Sequence, residues 1–543
     1  MANIGYYGSH NAAIAVEENG KILTVIEIER FLGYKNIGVA QYKTPKHKNA
    51  RDFTQIVTDV LDFIKKEHNI SHFDNCIFTS TDVVIGNTLY QTHEVIKANN
   101  YISYTHHLTH AAGAFYQSPY KEAIVFSFDG GGNDGKFNIY HCLRGQEPAL
   151  LEHITNPILG SPHIGYDLGF PYMLIGHYLN DIDFEGLSEG NLVYSGKIMG
   201  LVSYGEVREE WLDDFIEFYK NDPNGNNYQE IIDKLGEKIG IKFDTNNRLK
   251  EKIAYDVAAT SQRAFEECFL EIAKPYFDLF PDMPICITGG CGLNILLNTR
   301  LVNEFNKELF VGPVPNDCGL AVGLLANFVK PEEPFDVTYA GLPLLDRNMF
   351  QYYFNHSTWW KDELDMKEVI KDLVEGKIIG VVRDKSEHGP RALGNRSIIC
   401  NPSLPEMKDI LNAKVKHREW YRPFAPVVRL EDVNKYFEWD RESRWMSYAP
   451  IVRKKWRKKL AAITHVDNTA RVQTVTREQN PWLYDLITKF EETTGIGVIL
   501  NTSFNVNRMP ILTTLKDAFT VFEQTEMDRL IIEDNYIKKY LTL

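Results

Sequence analysis

An α/β fold spread over two domains is predicted by three observations. The chain has 543 residues, too many for one ordinary hydrophobic core. A strand, a small polar loop and a returning strand occur at the N-terminus and again near residue 130. A further strand, Ile285 to Thr288, runs into Gly289-Gly290-Cys291-Gly292 and then into an apolar helical stretch.

The elements follow in order. Ile4 to Gly8 and Ala12 to Val16 read as strands, and Asn19-Gly20 is a hairpin turn into Lys21 to Ile28. Thr54 to Glu67 is a helix, because Ile56, Val57, Val60, Leu61 and Ile64 recur at helical spacing. Ala123 to Phe128 is a buried strand, Asp129 to Gly135 a glycine-rich loop and Lys136 to Cys142 the returning strand. The repetition suggests a duplicated architecture of the kind found in sugar kinases and actin-like ATPases, an analogy of fold alone. Tyr204 to Leu249 is polar and helical, an expected insertion. Lys330-Pro331-Glu332-Glu333-Pro334 marks a boundary, giving domains 1–335 and 336–543. Late in the chain, Val498 to Leu500 is a strand opening into an Asn501-Thr502-Ser503 loop.

Composition narrows the class. With 44% hydrophobic and 24% charged residues the chain is that of a soluble globular protein, and no apolar run approaches the ~18 residues of a membrane span. Met1-Ala2-Asn3-Ile4-Gly5 lacks a signal-peptide pattern. Seven scattered cysteines with no C-x-x-C pair form neither a disulfide framework nor a zinc ribbon, so a cytoplasmic setting is expected. Net charge is −14, which weighs against wholesale nucleic-acid binding, yet residues 341–543 carry net +4 and residues 1–340 net −18. Cations therefore gather in the C-terminal half, as suits anionic small molecules. Its basic run, Arg453-Lys454-Lys455-Trp456-Arg457-Lys458-Lys459, reads as a solvated amphipathic helix end.

Three constellations point to chemistry. His106 and His110 share one face if their segment is helical, the spacing of two imidazole ligands. Asp129 at a strand end and Asp317 before an apolar helix would complete a site for Fe²⁺, Mn²⁺ or Zn²⁺. Gly389-Pro390-Arg391-Ala392-Leu393-Gly394-Asn395-Arg396-Ser397 pairs two guanidinium forks with flexible glycines, a composition suited to phosphate or carboxylate. Lys414 to Phe424 interleaves cations with aromatics, and Arg471 and the Asn501 to Ser503 loop add donors, so the sum is a pocket rich in donors and poor in acids.

On these motifs, in this order along nearly the whole chain, the sequence resembles the O-carbamoyltransferases of antibiotic and nodulation-factor biosynthesis. The resemblance implies an N-terminal actin-like/sugar-kinase-type domain and a C-terminal YrdC-like domain. It implies that carbamoyl phosphate and ATP form a carbamoyl-adenylate in the C-terminal domain. The carbamoyl group then passes to an acceptor hydroxyl in the N-terminal one. By the same resemblance Arg391, Lys416, Arg422, Arg471, Asn501 and Ser503, with Arg396, bind carbamoyl phosphate and ATP phosphates. His106, His110, Asp129 and Asp317 hold a divalent metal, Fe²⁺ first, with Mn²⁺, Mg²⁺ or Zn²⁺ as alternatives. His10 and Lys35 steady the adenylate, and Gly130, Gly131, Gly289, Gly290 and Asn294 serve the nucleotide.

Gly8 stands where an acidic residue suited to deprotonating the acceptor can occur, Asn11 where Asp is usual, and Glu206 is the substitute base considered. The acceptor is a small metabolite, a sugar or a hydroxymethylated nucleoside, with nucleic acid a partner only as acceptor. A homodimer is allowed and no membrane partner is expected. A threonylcarbamoyl-type tRNA-modifying enzyme and a non-catalytic nucleotide- and metal-binding regulator are the alternative readings.

Overall fold

Short apolar runs bounded by turn residues build the sheets of this protein. The computed structural model describes residues 1–35, 53–79, 83–85, 88–90, 92–153, 167–183, 191–220, 228–355 and 359–539. The chain divides into two units: Met1–Ile28 with Asn36–Asp336, and Glu29–Lys35 with Val337–Leu543. Contiguous halves, 1–335 and 336–543, do not provide for Glu29–Lys35, which belongs with the C-terminal unit.

In the first unit, β1 (Ala2–Tyr7), β2 (Ala13–Glu18) and β3 (Lys21–Glu27) form an antiparallel meander. Asn19 (φ 53°) and Gly20 (φ 80°) both take the left-handed conformation that a tight hairpin requires. β4 (Phe73–Thr79) pairs parallel to β1. The small hairpin β5 (Val83–Ile85) and β6 (Thr88–Tyr90) makes its own two-stranded sheet. β7 (Ala98–Tyr104) completes the order β3-β2-β1-β4-β7, parallel to β4.

A second sheet repeats this plan. β8 (Glu122–Gly132), β9 (Gly135–Leu143) and β10 (Ala149–His153) form the meander. β11 (Ile285–Thr288) and β12 (Leu309–Phe310) follow in parallel, in the order β10-β9-β8-β11-β12. The loop between the first two strands is shorter than expected, since β8 runs on to Gly132 and leaves only Asn133-Asp134 before β9.

Two helices join these sheets. His106–Gln117 packs on β8, β9 and β11, Leu320–Val329 packs on β1, β2 and β4, and the two helices pack on each other. Leu320–Val329 is apolar on every side, as a helix covered all round must be. The crossing is close because both helices offer glycine there. A Cβ on Gly323 would lie 2.2 Å from the Thr109 carbonyl oxygen, and one on Gly113 would lie 3.2 Å from Gly323 Cα. This contact sets the distance between His110, one residue from Thr109, and Asp317, at the entrance of the second helix. Within the expected insertion, Glu209–Lys220 and Tyr228–Ile239 are helical; residues 221–227 lie outside the described set.

The second unit holds one mixed sheet. Its strands are β13 (Trp359–Glu363), β14 (Ile379–Val382), β15 (Arg396–Cys400), β16 (Ala425–Arg429), β17 (Gln473–Val475), β18 (Val498–Ser503), β19 (Arg529–Ile532) and β20 (Asn535–Lys539). They lie in the order β13-β20-β19-β14-β15-β18-β16-β17. The register decides what meets. Ser397 at the start of β15 faces Ser503 at the end of β18, Ala425 at the start of β16 faces Asn501, and β17 runs parallel to β16 from Gln473. The segments holding Arg391, Arg422, Arg471 and Asn501–Ser503 therefore converge at one end of four neighbouring strands.

Two local expectations are corrected. Asn501 to Ser503 is the end of β18 rather than a loop, because its backbone is paired to β15 and β16. The basic run is not a helix end: Lys454 to Ile463 is a chain of consecutive turns.

Replacing Gly323 by Val should force the two helices apart. We expect a loss of about 1–3 kcal/mol, the usual cost of overpacking, read by denaturant unfolding.

Candidate active site

The first unit gathers its chemistry at the start of the helix His106–Gln117. Asn133 and Asp134, in the shortened β8–β9 turn, accept the otherwise free N–H groups of His106 (2.9 Å) and His107 (3.0 Å). His107 is structural, with both ring nitrogens satisfied by Ser127 Oγ (2.8 Å) and the Gly135 carbonyl (3.0 Å). His106 and His110, one helical turn apart, are different: their Nε2 atoms are buried and have no hydrogen-bond partner. Both point at two carboxylates. His110 Nε2 lies 3.4 Å from Asp129 Oδ2 and 3.3 Å from Asp317 Oδ1, and His106 Nε2 lies 4.0 and 3.7 Å from the same atoms. The four ligand atoms all fall within 4.8 Å of one another.

Asp129 is fixed by the glycine turns. Its Oδ1 accepts from Gly130 N–H (2.5 Å) and its Oδ2 from Gly290 N–H (2.8 Å). Gly289 takes φ 84°, and a Cβ there would lie 2.0 Å from the Phe128 carbonyl, so only glycine lets this turn reach the end of β8. Asp317 is held from its other side, where Oδ2 accepts from Tyr7 OH (2.6 Å) and lies 3.3 Å from His10 Nε2.

Burial favours the neutral form of both aspartates, but the surrounding imidazoles outweigh it and hold Asp129 and Asp317 below the usual carboxylate range. Burial likewise works against a charged His110, yet the two carboxylates push it up to about 9. For His106 burial wins and its pKa falls. Two ionised carboxylates facing two imidazole Nε2 atoms form a donor set that suits a divalent transition metal, which would displace the proton His110 shares with them.

The other residues expected here divide. Gly130 and Gly290 serve Asp129 through their N–H groups, and Gly131 is exposed beside them. Asn294 caps the helix Ile295–Phe305 through Leu297 N–H (3.0 Å) and exchanges two hydrogen bonds with Gln262. Both ends of its amide are hydrogen-bonded within the protein. Glu206 is exposed and paired with Lys252 (2.9 Å), so nothing in its surroundings marks it as a base.

In the second unit the converging strand ends carry cations. Arg391, Arg418, Arg422, Arg471 and Lys416 repel one another, and Lys35 adds to the field at Lys416. Burial, then this mutual repulsion, pushes Arg391 down to about 10 and Arg418, Arg471 and Lys416 well below their ordinary values. The balancing carboxylate among them is Glu419, 3.4 Å from Arg422. Arg391 makes no hydrogen bond or ion pair with any described residue, and Arg471 Nε is buried without an acceptor. Such a field is relieved by an anion.

Four of the residues expected to bind that anion already have partners within the protein. Arg396 is fully buried, and its two terminal guanidinium nitrogens donate to the carbonyls of Arg383 (2.6 Å), Asn395 (2.9 Å) and Asp384 (2.9 Å) in the turn before β15, while its Nε is buried without an acceptor. Lys416 Nζ donates to the Ser503 carbonyl (2.7 Å), the Asn505 carbonyl (2.6 Å) and Asn505 Oδ1 (2.6 Å). Asn501 Nδ2 donates to the Ala392 carbonyl (3.0 Å) and Gln473 Oε1 (2.7 Å), steadying the residue beside Arg391, while its Oδ1 is buried and unpartnered. Ser503 Oγ donates to Asn505 Oδ1 (2.7 Å).

Sequence reasoning missed Glu387. This buried carboxylate accepts from the backbone N–H of Leu393 (2.7 Å), Asn395 (2.7 Å) and Arg396 (3.1 Å). Arg30 donates to the carbonyls of Glu387 and Gly389, so the loop that presents Arg391 is held from both sides. A lone acid two residues before a glycine-rich turn was the available signal.

Glu387→Ala should leave three buried N–H groups unsatisfied. The expected cost is about 3 kcal/mol in denaturant unfolding, with a rise in KM for the anionic substrate that Glu387→Gln, which keeps an acceptor oxygen, partly restores.

Comparison with known proteins agrees with this two-part arrangement. Residues 39–325 match the family model for the carbamoyltransferase N-terminus, and residues 370–539 that for the carbamoyltransferase C-terminus. Nodulation protein NolO of Bradyrhizobium diazoefficiens is 32% identical over 460 residues, covering 80% of this chain and 78% of that protein. The 3′-hydroxymethylcephem-O-carbamoyltransferase of Streptomyces clavuligerus is 35% identical over 297 residues, 53% of this chain and 54% of that protein. That of Amycolatopsis lactamdurans is 33% identical over 365 residues, covering 64% and 65%. With both family models matched in order, the chain belongs to the carbamoyltransferase family, enzymes that transfer carbamoyl groups.

Proposed function

We propose that the protein is an ATP-dependent O-carbamoyltransferase with a divided reaction. In the second unit, water cleaves carbamoyl phosphate to carbamate and phosphate, and the carbamate oxygen attacks the α-phosphorus of ATP to give carbamoyl-adenylate and pyrophosphate. In the first, an acceptor hydroxyl attacks the carbamoyl carbon and AMP leaves. The matching sheet orders of the first unit support a duplicated actin-like/sugar-kinase-type domain, and the second is read as YrdC-like. The acceptor is a small metabolite, a sugar or a hydroxymethylated nucleoside.

The observation that carries this reading is the cluster of Arg391, Arg418, Arg422, Arg471 and Lys416 at one end of the second sheet, balanced by Glu419. Repelling cations held by burial and by backbone contacts are preorganised to stabilise a polyanion and the charge that grows as pyrophosphate departs. Arg391 and Arg471, with uncommitted donors, would contact the phosphates. Arg422 completes that wall, and Lys416 keeps Ser503 and Asn505 in place beside it.

In the first unit His106, His110, Asp129 and Asp317 would hold a divalent cation, which when bound supplies positive charge to the adenylate phosphate as AMP leaves. Tyr7 and His10 hold Asp317 through Oδ2, the oxygen that does not face His106 and His110, and His10 would steady the carbamoyl-adenylate. Gly130 and Gly290 keep both Asp129 oxygens aligned through their N–H groups.

The decisive assay supplies ATP and labelled carbamoyl phosphate and follows pyrophosphate, AMP and labelled product over a panel of hydroxyl compounds. Pyrophosphate release that does not depend on carbamoyl phosphate sinks the reading. Arg391→Ala should lower adenylate formation by about 10²–10³-fold, the scale of losing one preorganised charge-stabilising donor. His110→Ala should spare pyrophosphate release and abolish transfer; equal loss of both steps refutes the division of labour. Dialysis against a chelator should mimic His110→Ala, and added Fe²⁺ or Mn²⁺ should restore transfer.

A further inference from the structure

The basic run in the second unit is used by neither site, and its structure is not the solvated helix that its sequence suggests. Lys454 to Ile463 forms consecutive turns closed by Trp456 N–H to the Arg453 carbonyl (2.8 Å) and Leu460 N–H to the Trp456 carbonyl (2.9 Å). The knuckle is anchored from below. Trp456 packs against buried Tyr436, with ring centroids 4.7 Å apart, and its Nε1 donates to the Lys435 carbonyl (2.8 Å). Tyr436 in turn accepts from Gly497 N–H (2.6 Å). Arg453 is pinned to Asn434 through its carbonyl (2.6 Å) and Oδ1 (2.9 Å), and Arg457 to the Val452 carbonyl (2.9 Å).

What this mount presents is charge. Lys454, Lys455, Lys458 and Lys459 are exposed, and none makes an ion pair with a described residue. Beside them runs a groove of about 510 Å³ lined by Asn434, Lys435, Glu438, Arg453, Lys454 and Lys455. Glu438 is the acid in that lining, and Lys435 is already paired with Glu491. Six cations in seven residues, held on a rigid turn in a chain of net charge −14, are a concentrated positive surface on an otherwise acidic protein.

We infer that this knuckle is a docking surface for the phosphate backbone of a nucleic-acid duplex. A regular row of phosphates matches several fixed cations at once and releases its counterions on binding. Single strands are ordinarily gripped by bases stacking on exposed aromatic rings. Here the one aromatic residue of the run, Trp456, is half-buried and already engaged: it packs on Tyr436, donates to the Lys435 carbonyl, and has the ammonium groups of Lys455 and Lys459 5.7 and 5.3 Å from its ring, so its face is not offered to a base. An anionic membrane is disfavoured for the same reason: Trp456, the apolar side chain within Arg453 to Lys459, is held by Tyr436 and the Lys435 carbonyl rather than presented for insertion.

Docking and carbamoyl transfer rest on separate residues, so each can fail without the other. Anisotropy of a labelled DNA duplex of about 20 base pairs is followed from about 50 to about 200 mM salt, where about four phosphate contacts predict a roughly 100-fold loss of affinity. The variant K454E/K455E/K458E/K459E should bind at least about tenfold more weakly, with a salt slope shallower by about 3–4. It should keep the wild-type melting temperature and carbamoyl-phosphate-dependent pyrophosphate release. A duplex of RNA, a DNA single strand and vesicles containing phosphatidylserine are the other arms. No duplex binding by the wild-type protein overturns the inference. So does equal binding by the variant, or binding to single strands or vesicles in preference to duplexes.

Discussion

Asp317 is the charge on which the first unit depends. It is buried, yet it stays ionised because three imidazoles and a tyrosine hydroxyl surround it. Its two oxygens divide the contacts between them: Oδ1 faces His106 and His110, and Oδ2 is held by Tyr7 beside His10. Tyr7 ends β1, the histidines begin a helix and Asp317 opens another, so one carboxylate ties together three elements distant in sequence. Removing it would leave buried, partly charged rings with no counter-charge, a costlier state than the loss of one ligand.

The close helix crossing makes this arrangement geometrically possible. Gly113 and Gly323 remove the side chains that would hold the two helices apart, and that spacing places His110 within reach of Asp317. The packing of the core and the chemistry of the site are thus one constraint. The second unit works in the opposite sense. There, cations accumulate without equal acid, and rigidity comes from backbone contacts. Glu387 gathers three N–H groups, Arg30 holds two carbonyls, and Lys416 commits its donors to Ser503 and Asn505. The cations left without acceptors are kept in position by charged groups that have partners.

Residue types alone did not distinguish these two kinds of cation. Arg391 and Arg396 sit in one motif, five positions apart, and look equivalent in sequence. The first strand residue of β15 is Arg396, so its side chain follows the sheet into the interior, whereas Arg391 lies in the loop ahead of it. Asn294 shows the same limit, because an amide at a helix start serves equally as a cap or as a ligand until its neighbour Gln262 is known. His107 and His110 likewise share a helix, and only Ser127 and Gly135, brought in by β8 and β9, make the former structural.

The sequence by itself determined the local elements and the inventory of chemistry. Alternation and glycine turns marked β1 to β3, β8, β9 and β11. Helical spacing paired His106 with His110, and the density of arginine and lysine announced an anion site. These features are short-range, set by backbone preference and by residues a few positions apart. Tertiary structure alone decided which polar groups remain uncommitted. Sheet register brought four strand ends together around Arg391, and a glycine crossing set the spacing of His110 and Asp317. Packing of Trp456 on Tyr436 set the expected helix end as a chain of turns. Each outcome depends on contacts across many tens or hundreds of residues, where long-range packing, not local propensity, assigns every donor its acceptor.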